Sequence, residues 1–294
     1  MRFFPTPLDV ISLTALALVG ASPANAAPPA GWQIVFQDEF DGDRLDVTKW
    51  GTEMAFAGTH GPRYHNEFYV SYTVDEDVIV GDGLLRLRTD RRTVEGSEGP
   101  GIFDYTQGLV SSHDRFAFTH GYIEIRAKYP GGKGMWPCFW LMPEHQSWPP
   151  EFDVAEYYGG QQKMHYGLAY GTMHDPKWDS TGDTATKFVN EWRTIALEWT
   201  PGRAVWRVDG EVRKTIVADY VPDCAMYVLL SNSVSSIRGP SGLPDAATVF
   251  PNFFEIDYVR IYQPGPALPA PTILVKGDMP IEPVAPAEAD DAAQ

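Results

Sequence analysis

The stretch "WPPEFDVAEYYGG", residues 148 to 160, puts Glu151, Asp153 and Glu156 into six positions among aromatic and apolar side chains. In a regular strand successive side chains face opposite ways, so Glu151, Asp153 and Ala155 would share one face, and Phe152, Val154 and Glu156 the other. A solvated strand edge accommodates the first two acids but turns Glu156 into an apolar core, where an unpaired carboxylate is costly. One inserted residue resolves the conflict. If Val154 and Ala155 together occupy a single register step, all three acids project from one face.

Distance agrees with this. Five strand steps cover roughly 16 Å, and a bulge shortens that span towards the roughly 13 Å of four steps. Two Glu side chains leaning together from there bring their carboxyl groups to roughly 5 to 5.5 Å, the separation used in retaining glycoside cleavage. Crowding also spreads the acids' proton affinities, because a neighbouring negative charge favours the protonated form of one partner. One acid stays ionised while another keeps its proton, as general acid catalysis requires.

The chain-level composition sets the frame for such a site. At 294 residues and 44% hydrophobic, with 25 Pro and 27 Gly, the chain is globular and long enough for a sizeable core. Its first residues, "MRFFPTPLDVISLTALALVGASPANA", carry one Arg near the start, an apolar run from Val10 to Val19 and a small-residue Ala24-Asn25-Ala26 pattern. That is the pattern of a secretory signal peptide over residues 1–26, with an apolar run too short to span a bilayer. Export implies a secreted, extracellular or periplasmic protein with no membrane attachment after processing. The net charge of −16 argues against nucleic acid or anionic lipid as a partner and mildly favours a neutral substrate. A basic patch around Arg63, Arg91 and Arg92 is the local exception.

Only two cysteines occur, Cys138 and Cys224. An exported pair can form a disulfide, but both lie in strand-like apolar runs, "WPCFWLM" and "CAMYVLL", which favours two buried thiols. Seven His residues show no metal-ligand spacing, and HExxH is absent.

Short apolar or alternating runs recur along the chain, among them "VIVGDGLLRLRTD", "GYIEIRAKYP", "MHYGLAYG" and "FFEIDYVRIYQ", separated by turn clusters such as "GDG", "PGGKG" and "VDGE". "TIALEW", "TPGR" and "AVWRVDG" form a hairpin signal. No sustained helical period and no fixed-length repeat is present. The chain is therefore expected to be all-β, with two sheets packed as a sandwich over residues 27–264. Residues 265–294 turn Pro/Ala-rich and acidic, the composition of a flexible tail. In "GMWPCFWLMP", Trp136, Cys138 and Trp140 share one face of a strand. Core packing accounts for two Trp residues in isolation, but beside paired acids they suit the stacking floor of a sugar cleft.

Taken together, these segments resemble glycoside hydrolase family 16, the laminarinase, lichenase and agarase group. "EFDVAE" matches its E-x-D-x-x-E signature in the bulged form, and "GMWPCFWLMP" is similar to its G-x-W-P-A-F-W-L strand. "FQDEFDGDRLDVTKW", "HNEFYVSY", "LEWTPGRAVWRVDG" and "FEIDYVRIYQ" resemble further family segments in the same order, so the resemblance covers most of residues 27–264. It implies a concanavalin A-like jelly-roll sandwich with a substrate cleft on the concave sheet, acting as a monomer on a polysaccharide. It also implies Glu151 as nucleophile, Glu156 as acid and then base, and Asp153 as the group that hydrogen-bonds to the nucleophile.

Around these acids the resemblance assigns sugar contacts to Trp136, Trp140 and Asn66, with Arg63 added from its position just upstream. "YGTMH" favours His174 as the cleft histidine through the family's Y-G-T-x-H strand, whereas His165 in "KMHYG" lies nearer to Glu156 in sequence. No cofactor is implied for catalysis. A structural calcium is, with Glu39 and Asp257 in the matching places. Two departures bear on substrate: Cys138 stands where Ala is usual, and "LLSNSVSS" replaces a Gly-rich segment. A β-1,3- or mixed β-1,3/1,4-glucan or a bacterial exopolysaccharide, cut internally, is the first expectation. Agarase- or carrageenase-like cleavage, transglycosylation, non-catalytic glycan binding on the same fold and a structural wall role are the alternatives.

Overall fold

Alternation of apolar and polar residues builds the strands. Leu84–Asp90 shows it most simply, burying Leu85, Leu87 and Thr89 while Arg86 and Arg88 face outward. The computed structural model describes residues 28–55, 61–184 and 188–265. The expected signal peptide and all but the first residue of the expected tail lie outside these residues. Among the described residues regular structure is almost entirely β, with one 3-10 turn at Asp75–Asp77. No helix among them is long and apolar enough to cross a membrane.

Two large sheets form. The broader one runs, neighbour to neighbour, through Glu211–Val217, Arg203–Val208, Trp192–Thr200, Gly121–Lys128, Asn252–Pro264, Leu84–Asp90, Tyr105–Gln107 and Ser71–Thr73, with Trp32–Asp38 and Val78–Gly81 attached beside this path. The six-stranded sheet runs Asp175–Thr184, Lys163–Thr172, Glu151–Tyr158, Met135–Pro143, Met226–Val234 and Leu109–Ser111. The hairpin expected at "TPGR" is present: Thr200 pairs with Arg203 across Pro201 and Gly202, and Gly202 takes the positive φ of 67° that the turn needs.

Between the sheets lies one apolar core. Phe152, Val154 and Ala155 from the six-stranded sheet enter it with Trp199 and Trp206 from the other, all fully buried. Phe152 meets both indoles edge-on, at ring-centroid distances of 5.4 and 5.8 Å. The strand Met135–Pro143 is buried on both faces. Phe139 and Leu141 point into this core, while Trp136, Cys138, Trp140 and Met142 form a second cluster with Tyr227 and Leu229 on the opposite face.

The expected bulge is in place. Asp153 pairs with Gly167 and Glu156 with His165, so Tyr166 alone stands opposite Val154 and Ala155. On the other flank Phe139 pairs with Ala155 and Trp140 with Asp153, again with one residue to spare. Such a kink breaks the ladder's pairing pattern, and buried carbonyls need partners. Two side chains from outside the sheet supply them: the Trp206 indole donates to the Asp153 carbonyl at 3.0 Å, and the Tyr129 hydroxyl to the Ala155 carbonyl at 3.2 Å. Cys138 and Cys224 are both free thiols, the first buried and the second half-buried.

Candidate active site

Because the bulge turns Val154 and Ala155 into the core, Glu151, Asp153 and Glu156 all emerge on the outer face of the six-stranded sheet. There they line a cleft of about 710 Å³ together with Trp136, Trp140, Tyr69, Trp148, Tyr158 and His165. Asp153 and Glu156 are only 8% and 7% exposed, whereas Glu151, first residue of its strand, is more open.

Each outer acid has its own donors. The Trp148 indole donates to Glu151 Oε2 at 2.6 Å. Glu156 Oε1 accepts from the Trp136 indole at 3.0 Å and from the Cys138 thiol at 3.5 Å, while the Tyr158 hydroxyl donates to Oε2 at 2.8 Å. Asp153 lies between them on the same face and lines the cleft with both glutamates.

These surroundings set the proton affinities. Loss of water contact pushes Glu151 up to about 7, reinforced by the negative charge of Glu156 and opposed by donation from Trp148. Burial raises Glu156 as well, against the pull of Tyr158, Trp136 and Cys138, which favour its ionised form. Burial pushes Asp153 well above the usual carboxylate range, and the negative charges of Glu156 and Glu151 add to the rise. The three acids share one crowded site, in which the surroundings of Asp153 favour its protonated form.

The aromatic residues are ordered around the acids. Tyr69 stacks on Trp136 at 4.7 Å with rings 9° from parallel, and Tyr158 stacks on His165 at 4.0 Å. Trp140 Nε1 and His165 Nε2 are buried without a protein partner, two polar atoms suited to a ligand hydroxyl.

The sequence-derived contacts divide. Trp136, Trp140, Asn66 and His165 line the cleft, with Asn66 Oδ1 accepting from the Phe68 amide at 2.9 Å. His174 does not. It sits exposed at the turn joining Lys163–Thr172 to Asp175–Thr184, where Met173 beside it, rather than His174, lines the cleft. The histidine nearer in sequence is the one the ladder places beside Glu156. Arg63 is also corrected: its guanidinium is held by Glu53 at 2.9 Å and Asp75 at 3.0 Å, outside the main cleft.

Glu39 and Asp257 are not brought together as cation ligands. Glu39 takes Arg260 with both oxygens, at 2.8 and 2.7 Å, and Asp257 takes Arg126 at 2.6 Å. Each acid already faces a fixed positive charge, so the pair does not fit a calcium ion.

Trp148, Tyr158 and Tyr69 line the cleft although the sequence assigns them no role, and Cys138, which it marks only as a departure bearing on substrate, reaches Glu156. Alternation could have found Tyr158, two residues after Glu156 on the same face. Nothing local marks Tyr69, which reaches Trp136 from a distant loop.

A sugar-sized cleft floored by aromatic rings, with two carboxylates differently hydrogen-bonded on one bulged strand of a jelly-roll sandwich, defines a glycoside hydrolase site. The chain belongs to the glycosyl hydrolases family 16, whose profile matches residues 64–235. Over 265 residues it is 26% identical to the glucan endo-1,3-beta-glucosidase A1 of Niallia circulans, covering 80% of this chain and 38% of that protein. Against the beta-glucanase of Rhodothermus marinus it is 26% identical over 278 residues, covering 85% and 91%. In structure it is similar to the catalytic domain of an endo-1,3-beta-glucanase (laminarinase) from Thermotoga petrophila RKU-1, with a TM-score of 0.68, 26% identity and coverage of 80% of this chain and 99% of that one.

Proposed function

We propose that the protein is an exported, endo-acting retaining glycanase that hydrolyses a neutral β-linked polysaccharide, with β-1,3- or mixed β-1,3/1,4-glucan first. The observation that carries this reading is the bulge, which sets three carboxylates on one cleft face and gives the two outer ones separate donor sets. The relatives named as glucanases and the net charge of −16 support a neutral glucan.

In the first step a Glu151 oxygen attacks the anomeric carbon while the glycosidic C–O bond breaks. The proton on Glu156 passes to the departing oxygen. Protonated Asp153 donates to the Glu151 carboxylate, fixing the attacking oxygen. In the second step Glu156, now ionised, takes a proton from water as that water attacks the same carbon, and Glu151 is released. Both steps use only these side chains, and no cofactor enters them. Asp153 positions its neighbour, and the cleft aromatics hold the sugar rings.

The test is a product profile of the purified protein and its Glu151→Gln variant on laminarin, lichenan, agarose, carrageenan and a bacterial exopolysaccharide. Oligosaccharides from one substrate, β-configured at their new reducing ends when first formed and absent with the variant, are the expected result. Tight binding with no product from any of them would move the protein to the glycan-binding alternative.

A further inference from the structure

Beside the acids, the cleft continues across two more strands. Glu151 pairs with Ala169, which pairs with Trp178. Asp153 pairs with Gly167, which pairs with Ser180. The row from the acids to the sheet edge is therefore floored by small residues and ends in one large ring. Two strand spacings put Trp178 about 10 Å from the acid strand, measured across the sheet. The floor has no slack: a Cβ on Gly167 would lie 3.0 Å from the Ser180 Cβ and 3.4 Å from Asp153 Oδ2.

Trp178 is 54% exposed, unusual for so large an apolar side chain, and it lines the cleft rather than a separate surface. Its ring lies 5.7 Å from that of Trp148, tilted by 50°, and Trp148 in turn donates to Glu151. Its direction is fixed from behind. On the reverse face of the same strand Asp179 takes Lys214 at 2.5 Å and the Tyr220 hydroxyl at 2.8 Å, both from outside the six-stranded sheet. An edge strand would otherwise be free to twist; these bonds hold Trp178 towards the cleft at little ordering cost on binding.

We propose that Trp178, with Trp148 at its side, is an outer sugar-binding subsite that stacks a pyranose ring of the polysaccharide beyond the pair of rings being cleaved. The subsite rests on the glycanase reading for the identity of its ligand, since the occupant is a further unit of the chain lying across the acids. A flat, uncharged floor and an indole face suit a neutral pyranose and offer nothing to a sulfate or carboxylate. Its consequence is preference for long chains over short ones.

The test separates binding from turnover. Affinity electrophoresis in gels containing laminarin or lichenan compares Glu151→Gln with Glu151→Gln/Trp178→Ala. Retardation of the first and its loss, by about tenfold in apparent affinity, in the second is expected. Restoration of retardation in Glu151→Gln/Trp178→Phe confirms stacking rather than a change in fold. In the active protein Trp178→Ala raises KM on the long polysaccharide about tenfold, with the change in KM rather than kcat. Equal retardation with and without Trp178 overturns the subsite, even if the protein hydrolyses the glucan. Retardation that depends on Trp178 without any products from the wild type leaves the subsite standing and removes the hydrolase reading. No retardation of either protein in any gel overturns the subsite, and the hydrolase reading falls with it only if the wild type also releases no products.

Discussion

Tyr158 donates its hydroxyl to Glu156 Oε2 at 2.8 Å from two positions further along the same strand, while its ring stacks on His165 at 4.0 Å. The proposed acid is thus gripped by a residue that is itself held by the next strand. Donation to the ionised form lowers proton affinity, so Tyr158 works against the burial that raises Glu156.

Tyr158→Phe removes that donor and leaves the ring in place. The proton on Glu156 is then held more tightly, and the alkaline limb of kcat/KM moves up by about one pH unit. A kcat/KM profile across pH measures it. An alkaline limb that stays put or falls would assign the acid role elsewhere.

Trp148→Phe acts on the other limb. Glu151 must be ionised to attack, and Trp148 stabilises the ionised form, yet burial already pushes Glu151 up to about 7. Losing the indole N–H raises it further, so the acid limb moves to higher pH and activity at pH 6 falls more than at pH 8. The same pH series reads both limbs.

Glu151→Gln abolishes turnover and stabilises the fold at neutral pH. In the wild type Glu151 sits above its unfolded value of 4.5, so between about 4.5 and about 7 the folded state binds more protons than the unfolded state. Wild-type stability therefore falls as pH rises through that window. The amide has no proton to lose, so the variant's advantage in urea unfolding is greater at pH 8 than at pH 5. A variant as active as the wild type would end the nucleophile assignment.

Gly159, just past the acid strand, leaves no room for a side chain: a Cβ there would lie 1.9 Å from the Gly132 carbonyl oxygen. Gly159→Ala is expected to cost about 3 kcal/mol by overpacking against backbone, measured by urea unfolding.

Chelation should leave the melting temperature unchanged, because Glu39 and Asp257 are each occupied by an arginine. A drop of several degrees on adding EDTA, reversed by calcium, would place a cation at other residues.

The features legible in the sequence were those governed by local alternation. A period of two cannot place Glu151, Asp153 and Glu156 on one face, so the bulge at Val154 and Ala155 followed from parity alone. The split of Trp136 and Trp140 from Phe139 and Leu141 followed in the same way. What failed depended on distance through space. The motif resemblance points to His174, but at the tip of the hairpin, whose strands align step for step from Lys163↔Thr184 to Thr172↔Asp175, it is the neighbouring Met173 that faces the cleft while His174 is exposed. Arg63 lay at the right place along the chain, but Glu53 and Asp75 claimed its guanidinium. Tyr69 on Trp136 and Trp206 behind Asp153 join segments far apart in sequence, and no periodicity reports such pairs.

The extra residue at Val154 and Ala155 also marks the one step of the acid strand where a change of chain length leaves the acids in phase. Deleting Val154 would leave Ala155 alone in that register step, restore unbroken alternation and keep Glu151, Asp153 and Glu156 together on the cleft face. A lineage could thus shed or regain this one codon and keep its three acids in phase, whereas losing the codon for Phe152 would turn Glu151 out of step with Asp153 and Glu156.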